Sequence, residues 1–502
     1  MTKRNFTASI VSRIVGMLTG FVGRGIFVRV LSGEYLGLGG FFGNVFSVIS
    51  LCELGIGSAI AQSLYKPLAR NDEYKVSAII AYYSKVCRVL ALVTSAVSLG
   101  VVGFLPSLVE SKLSAFEVST AFLLFALHVC VSYILAPKCT LVVCDQRMYV
   151  VSVVRSAVGV VSLVLQSAML VIYGNYLLYL ASRILVITLG DIIINMYADK
   201  SYPCLSLKMK VGREYKKSLF GNVKALVWHK AGGVLSRSCD SLLLTFFVGL
   251  SGMGKYSNYA LMIGTVGAFF DVAINAVSAS VGNLGAGDRG EKSEGIMRKI
   301  YFVNFWLLTV GTSIIVCILN PFIRLWLGEE MLFTNAQMLV IVSSFYFSCI
   351  RDPVQIFVNT FGLFKESKYI PMLRAVFNIV LSVIFVQKMG VAGVFLGTTL
   401  STVLVPLCGE VRVLYKYGFS MKPRDFYKEM FCYIASSFFC ALLSFGITYF
   451  VKVTVAGILL RAVCAFCITN AVLVALYGNN EYFSYLVEIL RRANKKRCKS
   501  KS

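Results

Sequence analysis

The sequence predicts an all-α polytopic membrane protein with about 14 transmembrane helices. Only 15% of its residues are charged, against about 25% in soluble domains, while 57% are hydrophobic and the mean hydropathy is +0.76. Apolar runs of about 20 residues, enough to cross a bilayer as helix, recur from end to end. The runs are continuous rather than alternating, which argues against a transmembrane β-barrel.

In order, the runs read as spans over 6–30, 37–64, 80–105, 117–137, 149–172, 176–197, 221–249, 256–284, 300–322, 335–362, 369–387, 391–414, 429–451 and 455–477. The first follows Lys3 and Arg4 and carries arginines of its own, so it reads as a span and not as a cleavable signal peptide. The first and seventh are weakest because each carries several charges. The longest loop, between the sixth and seventh spans, has about 20 residues and holds no inserted soluble domain. Placing the N-terminus in the cytoplasm sorts 30 basic residues, the C-terminal tail included, onto that side and 5 onto the other. This is the positive-inside pattern, so both termini are expected in the cytoplasm. The net charge of +25 is partly this topology signal and does not imply nucleic-acid binding.

The chain also repeats itself. "VCDQRMY" (143–149), Arg155 and "GN" (174–175) are matched by "LFKESKY" (363–369), Arg374 and "GV" (390–391). The second span, entered by "EYLGLGGF" and carrying Glu53, pairs with the eighth, entered by "GMGKYSNY" and carrying Asp271. Six spans separate the copies. An even number preserves orientation, so the repeat is parallel, about an axis along the membrane normal. Two six-helix bundles, over 1–200 and 217–417, are expected around a central cleft. Two extra helices within 429–477 and a basic tail over 481–502 follow.

Several motifs carry no chemistry. "GAGDRG" (285–290) matches GxGxxG but follows a span, not a strand. "NFT" (5–7) falls on the side expected to be cytoplasmic. Cys464 and Cys467 form a CxxC without a second pair or a nearby histidine, so they read as packing residues, and no metal site or cofactor is expected. Gly16/Gly20, Gly39/Gly43 and Gly393/Gly397 read as close helix packing. His128 and His229 are the only histidines.

The segment "EYLGLGGFFGNVFSVISLCELGIGSAIAQSLYKPLARND" (34–72) resembles the second-span region of Wzx-type polysaccharide flippases of the multidrug/oligosaccharidyl-lipid/polysaccharide exporter (MOP) superfamily. "SCDSLLLTFFVGLSGMGKYSNYALM" (238–262) resembles their seventh and eighth spans. The resemblance covers the whole chain as two bundles. It implies a MATE-like fold and movement of undecaprenyl-diphosphate-linked sugar repeats between the leaflets of a bacterial cytoplasmic membrane. The implied partners are that lipid-linked oligosaccharide, membrane lipids, a polysaccharide polymerase and glycosyltransferases. Lipid II flippases of the same superfamily have 14 spans.

Fourteen basic and six acidic residues fall within the spans, among them Arg183, Arg351, Arg461, Asp191, Asp352 and Glu410. A charge at that depth is costly unless it faces protein or water. Arg13 and Arg24 lie three turns apart on nearly one face, and Lys230 and Arg237 lie two turns apart on the equivalent seventh span. Either these stripes line the cleft, where an arginine fork suits a diphosphate, or several of them form structural pairs; Asp240 is three residues from Arg237. Arg155 and Arg374 occupy matching places in the repeat. Glu53, Asp240 and Asp271 are the candidate coupling carboxylates; Glu53 and Asp271 are either neutral packing groups or acids that exchange a proton or pair with a cation.

The basic excess favours an anionic substrate over the organic cations of a multidrug exporter. Short loops with few carboxylates and histidines argue against a membrane enzyme. There is no ATP-binding motif. In the tail, Tyr482, Phe483, Tyr485, Leu486, Ile489 and Leu490 share one helical side ahead of seven basic residues, which predicts insertion into an anionic leaflet.

Overall fold

The computed structural model describes residues 2–108, 113–205, 238–270 and 290–488. The described residues are helical with no strand, and by their contacts the chain divides into two units, Met1–Gly254 and Lys255–Ser502.

The first unit contains α1 (Thr2–Val30), α2 (Gly33–Ile49), α3 (Leu51–Ala69), α4 (Glu73–Val102), the short α5 (Leu105–Leu108), α6 (Ala115–Cys144), α7 (Met148–Tyr173) and α8 (Tyr176–Ser201). Helix starts follow local chemistry. Asp72 accepts from the Lys75 N–H at 3.0 Å and pairs with its ammonium at 2.7 Å. These contacts hold the half-buried Asp72 carboxyl below its usual range. Ser114 and Glu117 form a reciprocal capping box at the start of α6. An aromatic core of Phe27, Phe42, Phe46, Phe122 and Tyr176 joins α1, α2, α6 and α8.

A further helical stretch, α9, runs over 238–270 and is broken at Gly249, where φ is +85°. This break falls where the seventh span was expected to end. The part of α9 up to Gly254 packs within the first unit. Phe246 meets Phe41 edge-on at 6.0 Å, and a Cβ at Gly37 would overlap the Leu250 carbonyl oxygen. Gly37 thus serves main-chain contact.

The second unit contains α10 (Glu291–Leu327), a 3₁₀ turn (Glu329–Met331), α11 (Asn335–Ile350), α12 (Asp352–Thr360), α13 (Phe364–Ser367), α14 (Ile370–Met389) and α15 (Val391–Thr402). α15 continues through a π-turn (Val403–Leu407), α16 (Cys408–Val413) and a second π-turn (Leu414–Phe419). α17 (Arg424–Thr448) and α18 (Val455–Tyr477) follow. These last two helices are built into the unit rather than appended to it. Thr309 and Tyr346 both hydrogen-bond Ser437, at 2.6 and 2.8 Å, and Trp306 donates to Asn470 at 3.0 Å. Such interhelical polar bonds are the glue of membrane bundles. Arg461, counted above among the in-span charges, donates to the carbonyls of Tyr449 and Val451 and so satisfies the turn after α17.

Ten helices among the described residues are each long and apolar enough to cross a membrane. The expected second and tenth spans fall short because each is broken, at Ser50 between α2 and α3 and at Arg351 between α11 and α12. The expected seventh and eighth extend into 206–237 and 271–289, outside the described residues. Counting those four, 14 spans remain the natural reading, and the chain is a multi-pass membrane protein. α7 ends on Gly174 and α14 on Gly390, both at positive φ, at the two matched glycines.

The tail differs from expectation. Leu486 is buried in the core of the second unit, Phe483 stacks on Trp306 at 5.2 Å, and Tyr482 meets Phe302 at 6.0 Å. The apolar side of 481–488 therefore faces α10 and not lipid, because the Tyr301–Trp306 aromatic surface offers a denser partner. Ile489, Leu490 and the basic run lie outside the described residues. Phe483→Leu, which keeps apolar bulk but loses the ring pair, should cost about 1 kcal/mol of stability. Unchanged thermal unfolding of the purified variant would contradict this docking.

Candidate functional site

Among the described residues, one group of in-span charges in each unit bears on a site. In the first unit, Arg24 of α1 is half-buried and interacts electrostatically with Tyr179 and Arg183 of α8. Arg183 also acts on His128 of α6. Two guanidinium groups within electrostatic reach of each other repel, and an anion near both would relieve that repulsion. Arg13, about three turns earlier on α1, is exposed. Arg155 of α7 is exposed too, and acts on Cys139 of α6 and Asp191 of α8.

Glu53 has a structural explanation. It sits in the first turn of α3, directly after the break at Ser50. The new helix start supplies unpaired N–H groups and a positive dipole end at mid-span. The Tyr83 hydroxyl donates to Glu53 at 3.2 Å, and the Tyr133 hydroxyl to Ser50 at 2.7 Å. "SLCE" (50–53) matches a capping-box spacing, yet Ser50 makes no side-chain cap. Irregular backbone at membrane depth persists only where protein or a wet cavity covers it.

In the second unit, Arg351 donates to Glu410 at 2.6 Å and to Gln355 at 3.1 Å. Arg374 of α14 acts on the same carboxylate. Glu410 is buried, and its second oxygen, Oε2, has no hydrogen-bond partner among the described residues. The cluster occupies two irregular places at once. Arg351 is the junction of α11 and α12, where Asp352-Pro353 restarts the helix, and Glu410 lies between the two π-turns. π-turns and broken helices recur at functional sites.

Of the residues singled out in the sequence, Arg374 is thus drawn into a cluster, and Arg24 is drawn beside Arg183. Arg155 stands apart, near Asp191. Asp240 is buried on α9. Lys230, Arg237 and Asp271 lie outside the described residues. Arg183, Arg351 and Glu410 were counted as in-span charges but not chosen. The signal available for the last two was a pair of opposite charges in different spans. Among the described residues no group of His, Cys, Asp and Glu could hold a metal ion, and the described cysteines are free thiols.

No family model matches the sequence, and no curated protein matches it. Solved structures do match. The lipid II flippase MurJ, in an inward closed conformation, aligns over 95% of this chain and 99% of its own, at 13% identity and a TM-score of 0.65. The fold is MATE-like. An inward-facing multidrug resistance MATE transporter of the MOP superfamily covers 81% of this chain and 98% of its own, at 14% identity and a TM-score of 0.64. A MOP superfamily transporter from Pyrococcus furiosus, whose binding pocket is described as of reverse polarity, covers 82% and 96%, at 13% identity and a TM-score of 0.57. A MATE-like chain of this kind is a membrane protein in which charges inside the spans need a reason, and the two clusters above are where that reason is sought.

Proposed function

We propose that the chain is a flippase, not an enzyme. It moves undecaprenyl-diphosphate-linked oligosaccharide repeat units across the bacterial cytoplasmic membrane for assembly of a surface polysaccharide. The movement is alternating access by bundles over 1–200 and 217–417, with both termini in the cytoplasm and with the polymerase and glycosyltransferases as partners. The observation that carries this reading is that Arg24 and Arg183 lie within electrostatic reach of each other inside the spans. A diphosphate accepts from both forks at once. Arg13, Arg155, Lys230, Arg237 and Arg374 are assigned to the same anionic path, and Glu53, Asp240 and Asp271 to coupling. A lipid II flippase is the second reading. It is favoured by the 95% coverage, against 81% for the exporter, as two helices beyond a twelve-helix core would give. Both substrates present a diphosphate, so the site chemistry is shared.

Complementation of a flippase-null strain tests the reading, with surface glycan measured at matched protein level. Arg24→Ala and Arg183→Ala each remove a charged hydrogen bond of about 1.5–3 kcal/mol, or about 10- to 150-fold in affinity. Lysine at either place keeps the charge without the fork and should rescue in part. Full glycan from both alanine variants would remove the site. Resistance to organic cations, with no glycan change on loss of the gene, would replace the flippase by an exporter.

A further inference from the structure

A groove of about 700 Å³ opens between α1 and α7 in the first unit, away from both charged clusters. The two helices run parallel. Arg4 meets Tyr149 near their N-termini, Thr19 lies by Gly159, and Gly23 lies by Leu163. The small residues Gly23 and Gly159 let the helices approach closely at depth. Nearer the N-termini the Arg4 and Tyr149 side chains line the groove.

Among its lining residues the groove carries charge at one end only. At its mouth the Arg4 guanidinium lies 4.1 Å over the Tyr149 ring, a cation–π contact. No carboxylate lines it. Two parallel helix starts, at Thr2 and Met148, direct the positive ends of their dipoles to the same place. Asn5 fixes this end. It donates to the Gln146 carbonyl at 2.6 Å and accepts from the Tyr149 N–H at 2.9 Å, so the start of α1 is tied to the start of α7 beside the mouth. Deeper in, the wall is Ala8, Val11 and Val153, and the exposed Ile14 and Leu18 continue the apolar stripe along α1. The Ser156 hydroxyl on this wall already donates to the Ser152 carbonyl at 2.8 Å, so it brings no unspent donor into the apolar part.

A cationic mouth leading into an apolar trough on a membrane-facing surface has the shape of one molecule class. We infer that this groove binds an anionic phospholipid of the surrounding membrane, its phosphate at Arg4 and an acyl chain along Val11 and Val153. The volume falls in the range of ligand sites. A zwitterionic lipid fills the trough equally well but brings its own cation against Arg4. Soluble phosphate gains the mouth and nothing from the trough. The inference does not depend on what the chain transports, since binding is read without transport.

The test uses the full-length purified protein with phosphatidylglycerol and phosphatidylcholine of matched acyl chains. Native mass spectrometry should show one phosphatidylglycerol retained per chain at least about tenfold more tightly than phosphatidylcholine, the equivalent of one charged hydrogen bond. Arg4→Ala should abolish the preference, and Arg4→Lys should keep most of it. Ala8→Leu, which fills the trough without changing charge, should release both lipids. A second readout stands even if an Arg4 variant fails to fold. Tryptophan introduced by Val153→Trp should be quenched by brominated phosphatidylglycerol at a lower lipid fraction than by brominated phosphatidylcholine, whereas Leu185→Trp, exposed on α8, should not distinguish them. Equal retention of the two lipids by the wild type, no quenching difference at 153, or displacement of the lipid by glycerol phosphate alone would each overturn the inference.

Discussion

Replacing Arg351 with alanine is expected to destabilise the protein by about 3–5 kcal/mol, more than any other single change proposed for a charged residue. Glu410 is buried, hydrogen-bonded by Arg351 through one oxygen, and has no hydrogen bond at the other among the described residues. Removing the guanidinium leaves that carboxylate without its closest partner in a medium where isolated charge is poorly solvated. Arg374 acts on the same carboxylate and softens the loss, so the lower end of the range applies. The double change Arg351→Met/Glu410→Leu removes both charges and should recover most of the stability, since buried pairs often add little net. Thermal unfolding of the purified variants decides this. A double variant as unstable as the single one would show that packing at the α11–α12 junction matters and the ion pair does not. If the pair serves transport, the stable double variant should remain inactive in the glycan assay.

Gly397→Leu should follow closely, at about 3 kcal/mol, the upper end of overpacking costs. A Cβ at Gly397 would collide with the main chain and hydroxyl of Ser382, and one at Gly393 with the Phe385 carbonyl group. These contacts clamp α14 to α15, and the Ser382 hydroxyl adds a 2.9 Å bond to the Val394 carbonyl. Gly16→Leu and Gly20→Leu are the controls, because neither glycine has a described neighbour within contact distance. Equal unfolding midpoints for Gly397→Leu and Gly16→Leu would show that α14 and α15 do not pack by backbone approach.

That contrast also marks what the sequence could and could not convey. All three GxxxG pairs look alike as text, and spacing alone does not say which one meets a neighbouring backbone. Hydropathy located spans as clear as α4, α7 and α18 because a helix that meets lipid on one face and packed protein on the other is apolar over most of its length, even with a charge or two inside it. It also suggested a span over 335–362, although Arg351, Asp352 and Pro353 break the helix there. Arg155 and Arg374 were legible as repeat partners, yet their surroundings differ. Arg374 joins Arg351 and Glu410, while Arg155 stands by Asp191. The Arg351–Glu410 bond joins residues 59 apart in sequence, and no helical periodicity reports a contact between different helices. Arg24 was chosen for the face it shares with Arg13, but what distinguishes it is Arg183 on α8. In the tail, an amphipathic pattern is the same whether its apolar side meets lipid or protein. Leu486 met protein.

The docked tail bears on how the chain is made. The aromatic surface of α10 is covered by α17, α18 and residues 481–488, and the Trp306–Asn470 bond spans 164 residues. At roughly 5–20 residues per second a ribosome needs on the order of ten seconds or more to supply the covering segment. Throughout that interval Tyr301, Phe302, Phe305 and Trp306 lie in the bilayer without their final neighbours. A nascent chain stalled before residue 470 should therefore expose the face that membrane chaperones and proteases recognise. Premature termination even in the last helix would then be removed as an assembly failure of α10, far upstream of the stop.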